Sequence, residues 1–238
     1  MDVIIERDEV ACGRTVADIF DRAVRSGATT LGLATGSSPL SVYRELIRRH
    51  REEGLSFAAV QAFLLDEYVG LPAGHPQSYA QVIRTEFADH VDLAEVFGPD
   101  GNAVDLFSAA ASYDALVASA GPIDVQLLGI GANGHIGFNE PGSALDSRTR
   151  VTTLTSQTRQ DNARFFSSVD EVPRRVITQG LGTISSARHL VLIATGSHKA
   201  AAVAAALEGP ITPECPASVL QLHSMVTVVV DEAAGRLG

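Results

Sequence analysis

Leu127-Leu128-Gly129-Ile130-Gly131-Ala132-Asn133-Gly134-His135-Ile136-Gly137-Phe138-Asn139-Glu140-Pro141-Gly142 is the stretch on which the fold turns. The apolar run over residues 123–130 reads as a strand of a parallel sheet, covered on both faces. It empties into a loop holding Gly129, Gly131, Gly134 and Gly137. Such glycines let backbone come close to a ligand or take positive φ. Among them stand Asn133, His135, Asn139 and Glu140. A loop at a strand's carboxyl end is where open α/β sheets bind ligands. His135 exchanges protons near neutral pH, and a carboxylate such as Glu140 orients an imidazole and raises its pKa. The competing reading is a polar turn whose histidine and glutamate satisfy each other. The density of glycine and polar groups after a buried strand favours a site.

Gly129, Gly131 and Gly134 also match Gly-x-Gly-x-x-Gly, the dinucleotide fingerprint. That motif must open an amphipathic helix and be followed by an acidic residue about 20 positions on. Here Pro141 comes seven residues after Gly134, and residues 150–156 hold no acidic side chain. Dinucleotide binding is not expected.

Around this stretch strand and helix patterns alternate. Strands are expected at residues 3–5, 29–34, 60–65, 150–154, 189–194 and 225–230, and helices at 10–26, 39–53, 78–87, 108–120, 157–166, 200–207 and 217–223. Apolar Val16, Ile19, Phe20 and Val24 have helical spacing, as do Leu40, Tyr43, Leu46 and Ile47. Gly27, Gly54 and Gly209 are natural stops, and Ser78 is a natural cap. Residues 172–186 fit no pattern, and residues 231–238 read as a tail. Alternation of this kind implies an α/β fold: one domain over residues 1–238, a mostly parallel sheet and helices on both faces.

With 238 residues the chain buries a large core without disulfides or metals. Net charge is -10 with no basic block, which argues against a nucleic-acid partner. Cys12 and Cys215 stand far apart and suit reduced packing thiols, so a zinc or other metal site is not expected. The first residues do not read as a signal peptide and no apolar run reaches membrane-spanning length, so a cytoplasmic protein with no membrane partner is expected.

Three more places carry chemistry. Thr35-Gly36-Ser37-Ser38-Pro39 opens a helix after a strand, and a helix start offers free amides and a partial positive charge to a phosphate. A serine cap is the plain alternative, and Pro39 suits the first helical position. Thr195-Gly196-Ser197-His198-Lys199 repeats the design with a cation, Lys199. Arg164, beside Phe165 and Phe166, reads as partly buried and able to grip an oxyanion, against a surface ion pair as the alternative. Asp66 and Glu67 end a strand. If extended backbone continues, they face opposite ways, one entering the site and the other supporting it. A carboxylate there is a candidate base for a carbon-bound proton.

Several strings taken together resemble the glucosamine-6-phosphate deaminase family. They are Phe63-Leu64-Leu65-Asp66-Glu67-Tyr68-Val69-Gly70, His75-Pro76-Gln77-Ser78-Tyr79, Gly131 to Pro141, Asn162-Ala163-Arg164-Phe165-Phe166, Gly196-Ser197-His198-Lys199-Ala200 and Leu220-Gln221-Leu222-His223. The resemblance runs from about residue 29 to 231. It implies conversion of glucosamine 6-phosphate and water to fructose 6-phosphate and ammonia in amino-sugar catabolism, without a cofactor. Carried over by position, Asp66 is the enolisation base, His135 the ring-opening acid/base and Glu140 its partner. Thr35, Gly36, Ser37, Ser38, Arg164 and Lys199 form the phosphate cradle.

Two departures matter. Asn133 stands where some members carry Asp, so it can orient but not ionise. Thr152 stands where the longer, allosterically activated hexamers carry Lys, so activation by N-acetylglucosamine 6-phosphate is not expected. Monomer and homo-oligomer both stay open. The rivals are a 6-phosphogluconolactonase-like hydrolase and a non-catalytic sugar-phosphate sensor. Lactone hydrolysis needs no carbon-proton base, and a sensor needs no acid/base set.

Overall fold

The computed structural model describes residues 1–235. In chain order its elements are β1 (Asp2–Glu6), α1 (Glu9–Arg25), β2 (Thr30–Leu33), α2 (Ser37–Glu53), β3 (Gln61–Leu64), β4 (Asp66–Tyr68), α3 (Tyr79–Glu86), β5 (Glu95–Phe97) and α4 (Leu106–Ser119). They continue with β6 (Val125–Leu128), β7 (Arg150–Thr153), α5 (Ser156–Asn162), β8 (Arg175–Thr178), α6 (Leu181–Ile184), β9 (Leu190–Ala194), α7 (Ala200–Glu208) and β10 (Val226–Asp231).

Seven strands form one parallel sheet in the order β1-β10-β9-β6-β2-β3-β5. Every residue of β2, β6 and β9 is buried, as expected of apolar strands between helical layers. The order contains a reversal. From β2 the chain adds β3 and then β5 on one side; it returns as β6 on the other side and continues through β9 to β10. The connections leaving β2 and β6 therefore diverge, and a crevice opens at their carboxyl ends. Arg49 is a joint between the first two helices: its buried guanidinium meets Glu45 at 2.9 Å, and Asp18 and Asp21 of α1 at 2.5 and 3.3 Å.

A second sheet was not legible in the sequence. The strand pattern over residues 60–65 belongs to β3, but the chain leaves the large sheet at Leu65, and Asp66–Tyr68 pairs antiparallel with β8. β8 pairs in turn with β7, giving the order β4-β8-β7. Leu65 is the pivot: its N–H bonds back to Leu33 O at 3.3 Å, while its carbonyl accepts from Gln179 N at 2.7 Å. A separate core of Tyr68, Leu71, Phe138, Leu154, Val172 and Val176 lies under this sheet. Each such apolar side chain stabilises by about 1.5–3 kcal/mol on burial.

Other differences are local. The unassigned residues 172–186 contain β8 and α6, too short to show a period. β5, three residues long, was missed for the same reason. The helix expected at 108–120 starts at Leu106, because Asp105 caps it and accepts from Phe107 N and Ser108 N. The helix expected at 157–166 ends at Asn162 and tightens into a 3₁₀ turn over Ala163–Phe165. The short helix near 217–223 is 3₁₀ over Pro216–Leu222. The expected tail at 231–238 begins with the end of β10, and its residues 236–238 lie outside the described residues.

Candidate active site

A cleft of about 310 Å³ occupies the crevice at the carboxyl ends of β2, β6 and β9. The turn after β2 forms one end of it. Gly36, at φ 109°, is the cap of α2, and no side chain bonds to the helix's first amides. By contrast α1, α3, α4 and α5 are capped by Asp8, Ser78, Asp105 and Thr155. The serine-cap alternative thus fails, and Pro39 is the third helical residue, not the first. The open amides of α2 face the cleft with a partial positive charge. The turn after β9 has the same form, with Gly196 at φ 89°. Ser38 Oγ and Thr195 Oγ1, 3.2 Å apart, join the two turns.

Two cations stand at this end, Arg164 and Lys199. Lys199 Nζ donates to Ile130 O at 2.6 Å, which ties the β9 turn to the β6 loop. Burial, then the Arg164 charge, pushes the Lys199 ammonium below its ordinary pKa. An anion bound between the two would reverse that effect. Arg164 is exposed, not partly buried as expected, and its guanidinium lies 4.7 Å over the Phe165 ring. The surface ion-pair alternative fails as well: among the described residues neither Arg164 nor Lys199 pairs with a carboxylate.

The other end carries titratable side chains. Asp66 lines the cleft and is 6% exposed, and its carboxylate makes no hydrogen bond among the described residues. Desolvation, then the neighbouring Glu67 charge, raises its pKa well above the usual carboxylate range. Glu67 turns away and accepts three backbone amides, so the opposite-face reading of the pair holds.

His135 sits across from Asp66 in a chain of hydrogen bonds. Asn133 Nδ2 donates to Glu140 Oε2 at 2.8 Å, and Glu140 Oε1 accepts from Thr155 N and Oγ1, each at 3.2 Å. A carboxylate only accepts, so the Asn133 amide must present Oδ1 to the imidazole. His135 Nδ1 lies 2.7 Å from that oxygen. Nδ1 therefore carries the proton, and Nε2 keeps its lone pair. Burial outweighs the nearby Glu140 charge and pushes the imidazole pKa down, which keeps it neutral at physiological pH. The expected direct contact of His135 with Glu140 is 3.7 Å, so Asn133 is the link between them. Gly131 permits this geometry, because a side chain there would collide with the ring.

The loop is held from below. Phe138 N donates to Thr178 Oγ1 at 3.1 Å, and buried Asn139 donates to Gln179 O at 2.8 Å. β8 thus fixes both Asp66, through pairing, and the loop, through these bonds. Asp66, His135, Thr35, Gly36, Ser37, Ser38, Arg164 and Lys199 meet in one cleft, while Asn133 and Glu140 do not line it and stand behind His135. Tyr79, Phe138, Asn162 and His198 also line it, and were not singled out. No local signal marks Tyr79, because its place beside Asp66 depends on how α3 docks. Among the described residues, no group of three or more His, Cys, Asp or Glu side chains is arranged to hold a metal ion.

An open parallel sheet whose reversal point joins two glycine-capped helix starts to a carboxylate and an imidazole is the build of an α/β enzyme for a small substrate. The chain belongs to the glucosamine-6-phosphate isomerases/6-phosphogluconolactonase family, whose model matches residues 8–229. A glucosamine-6-phosphate deaminase of Rhodococcus opacus is 66% identical, across 98% of this chain and 91% of that one. Its counterpart in Rhodococcus jostii is 64% identical over the same shares. A solved structure described as a monomeric glucosamine-6-phosphate deaminase is 45% identical, covers 100% of both chains and superposes with a TM-score of 0.98. A 6-phosphogluconolactonase from Leishmania guyanensis shares the fold at a TM-score of 0.77 and 21% identity, covering 99% of this chain and 97% of that one.

Proposed function

We propose that this chain converts glucosamine 6-phosphate and water to fructose 6-phosphate and ammonia. The observation that carries the reading is Asp66: a buried carboxylate without hydrogen bonds, facing the same cleft as two open helix starts. Such a carboxylate is a strong base once ionised, because no donor stabilises its charge. Lactone hydrolysis has no use for a base aimed at a carbon-bound proton.

In this reading the phosphate is held by the turn of Thr35, Gly36, Ser37 and Ser38, with Arg164 and Lys199 closing on it. That anchor sets C1 and C2 against the other end of the cleft, so binding energy far from the reacting carbons orients them. His135 Nε2 takes the O1 proton while a proton returns to the ring oxygen, and the pyranose opens. Asn133 and Glu140 steady the imidazolium formed. Asp66 then carries a proton from C2 to C1. The C2 amine becomes an imine, water adds to it, and ammonia leaves. Each positioned proton-transfer group contributes about 10²–10⁴ in rate.

The active unit in this reading is a single chain, in line with the monomeric description of the solved relative. Its two unpaired cysteines suit a reducing cytoplasm. A coupled assay for ammonia and fructose 6-phosphate from glucosamine 6-phosphate is the direct test. In deuterated solvent, label should appear at C1 of the ketose or exchange at C2 of the aldose. Absence of both label and consumption would overturn the reading, and sedimentation of the active protein tests the single-chain unit.

A further inference from the structure

Glu67 is a buried carboxylate beside Asp66 and takes no part in the steps above. It is bound entirely by backbone. Oε1 accepts from Tyr68 N at 2.8 Å and Tyr79 N at 2.9 Å, and Oε2 accepts from Ala80 N at 2.9 Å. Tyr79 and Ala80 are the first two residues of α3. That helix already has an ordinary cap, since Ser78 Oγ accepts from Gln81 N at 3.2 Å. Glu67 therefore does more than start a helix. It reaches from a strand of the small sheet across 12 and 13 positions of sequence and satisfies amides that the serine leaves open. The anion also meets the positive end of the α3 dipole.

What this clasp fixes is Tyr79. The ring lines the cleft, lies 4.9 Å from the Tyr68 ring and stacks on Phe138 at 5.7 Å and 12°. Strand alternation turns Glu67 and Asp66 to opposite sides of β4, so a grip on one side sets what stands on the other.

We propose that Glu67 is a positioning residue for the reaction: its carboxylate seats α3 on β4, holds Tyr79 as a wall beside Asp66, and places a second carboxylate next to that base. The proposal rests on the reading of Asp66 as the base.

Other titratable groups near Asp66 do not supply that charge. Tyr68 on its own strand, Tyr79 on α3 and Tyr113 on α4 are phenols that burial holds neutral. His135 across the cleft is also kept neutral by burial. Arg164 and Lys199 stand at the phosphate end, and Asp161, the other carboxylate lining the cleft, acts on His135 and Lys199, whereas the charge acting on Asp66 is that of Glu67. Glu67 is the near carboxylate: burial raises its own pKa and its three amide donors oppose that rise, so it bears on Asp66 once it has ionised.

The test is the pH dependence of kcat/KM for the wild type, Glu67→Gln and Glu67→Asp. Melting temperature is recorded for each, and the Asp66 carboxyl is followed by carbon-13 NMR without substrate. Glu67→Asp keeps the charge but shortens the reach; it should lose about tenfold in kcat through misplacement, with its acid limb in place. Glu67→Gln removes the charge, so Asp66 ionises more readily; the acid limb and the Asp66 titration should both move to lower pH. A Glu67→Gln variant that melts earlier but leaves limb and titration in place would make Glu67 merely structural and overturn the proposal. If Glu67→Gln does not fold, wild-type kcat in Glu67→Asp overturns it. A wild type that releases no ammonia sinks the reading of Asp66 as the base, while the NMR titrations still report on Glu67.

Discussion

The two ends of the cleft are built in different ways. The end proposed to hold the phosphate is mostly backbone: two turns at the carboxyl ends of β2 and β9, two glycines at positive φ, and the open amides of α2. The acid/base end is mostly side chains, presented by a three-residue strand and a loop that β8 holds from below. The first end follows from sheet order alone, since a reversal in strand order always leaves a crevice with helix starts around it. The second requires a small antiparallel sheet to form between segments more than 100 residues apart, Asp66 against Thr178. In the proposed reading, binding is thus placed by the scaffold, and chemistry by a long-range graft onto it.

If that division is right, substitutions at the acid/base end should act on kcat and those at the phosphate end on KM. The largest effect is expected for Asp66→Asn, which keeps shape and removes the base. Ammonia release should fall by about 10²–10⁴, with fructose 6-phosphate binding by calorimetry little changed. Wild-type turnover in this variant would remove Asp66 from the mechanism. Gly131→Ala comes next. Its methyl group displaces the imidazole, and kcat should drop by about 10² from misplacement of order 1 Å.

Lys199→Ala should raise KM for glucosamine 6-phosphate by about 10–100-fold, the scale of a charge-assisted hydrogen bond worth about 1.5–3 kcal/mol. Glucosamine without phosphate should be affected much less; equal loss for both would break the division. The smallest change in rate is expected for Asn133→Asp, within about tenfold of wild type. Its signature is the pH profile. A carboxylate against Nδ1 raises the His135 pKa, so the neutral imidazole is lost sooner as pH falls. The acid limb of kcat/KM should therefore move to higher pH, opposite to the direction expected for Glu67→Gln. In the wild type the same limb should lie above the usual carboxylate range, because Asp66 must ionise to act and its pKa is raised.

Much of the site was legible because its signals are local. Thr35 to Ser38 and Thr195 to Lys199 are strand-to-helix turns, recognisable within five residues each. The glycine-rich loop declares itself by composition, and Asp66 and Glu67 by their place after an apolar strand. What the sequence misjudged was environment. Arg164 was expected to be partly buried from its aromatic neighbours, yet it is exposed and lies over one of those rings. Glu140 and Asn133 were both expected to orient His135, and it is Asn133 that makes the direct bond and passes it on to Glu140. Tyr79 follows a recognisable cap, but nothing in its neighbourhood says that Glu67 will draw it to the cleft.

By itself the sequence determined the alternation of strands and helices, hence the parallel sheet, and the glycines and polar groups at the carboxyl ends of its strands. Periodicity and turn chemistry are written within a few residues. Only the tertiary structure decided the strand order, the departure of Asp66–Tyr68 into a second sheet, the tautomer of His135 and the solvent-poor setting of Asp66. Each of these depends on which distant segment packs against which, and burial and hydrogen-bond partners, not residue type alone, determine where a proton resides.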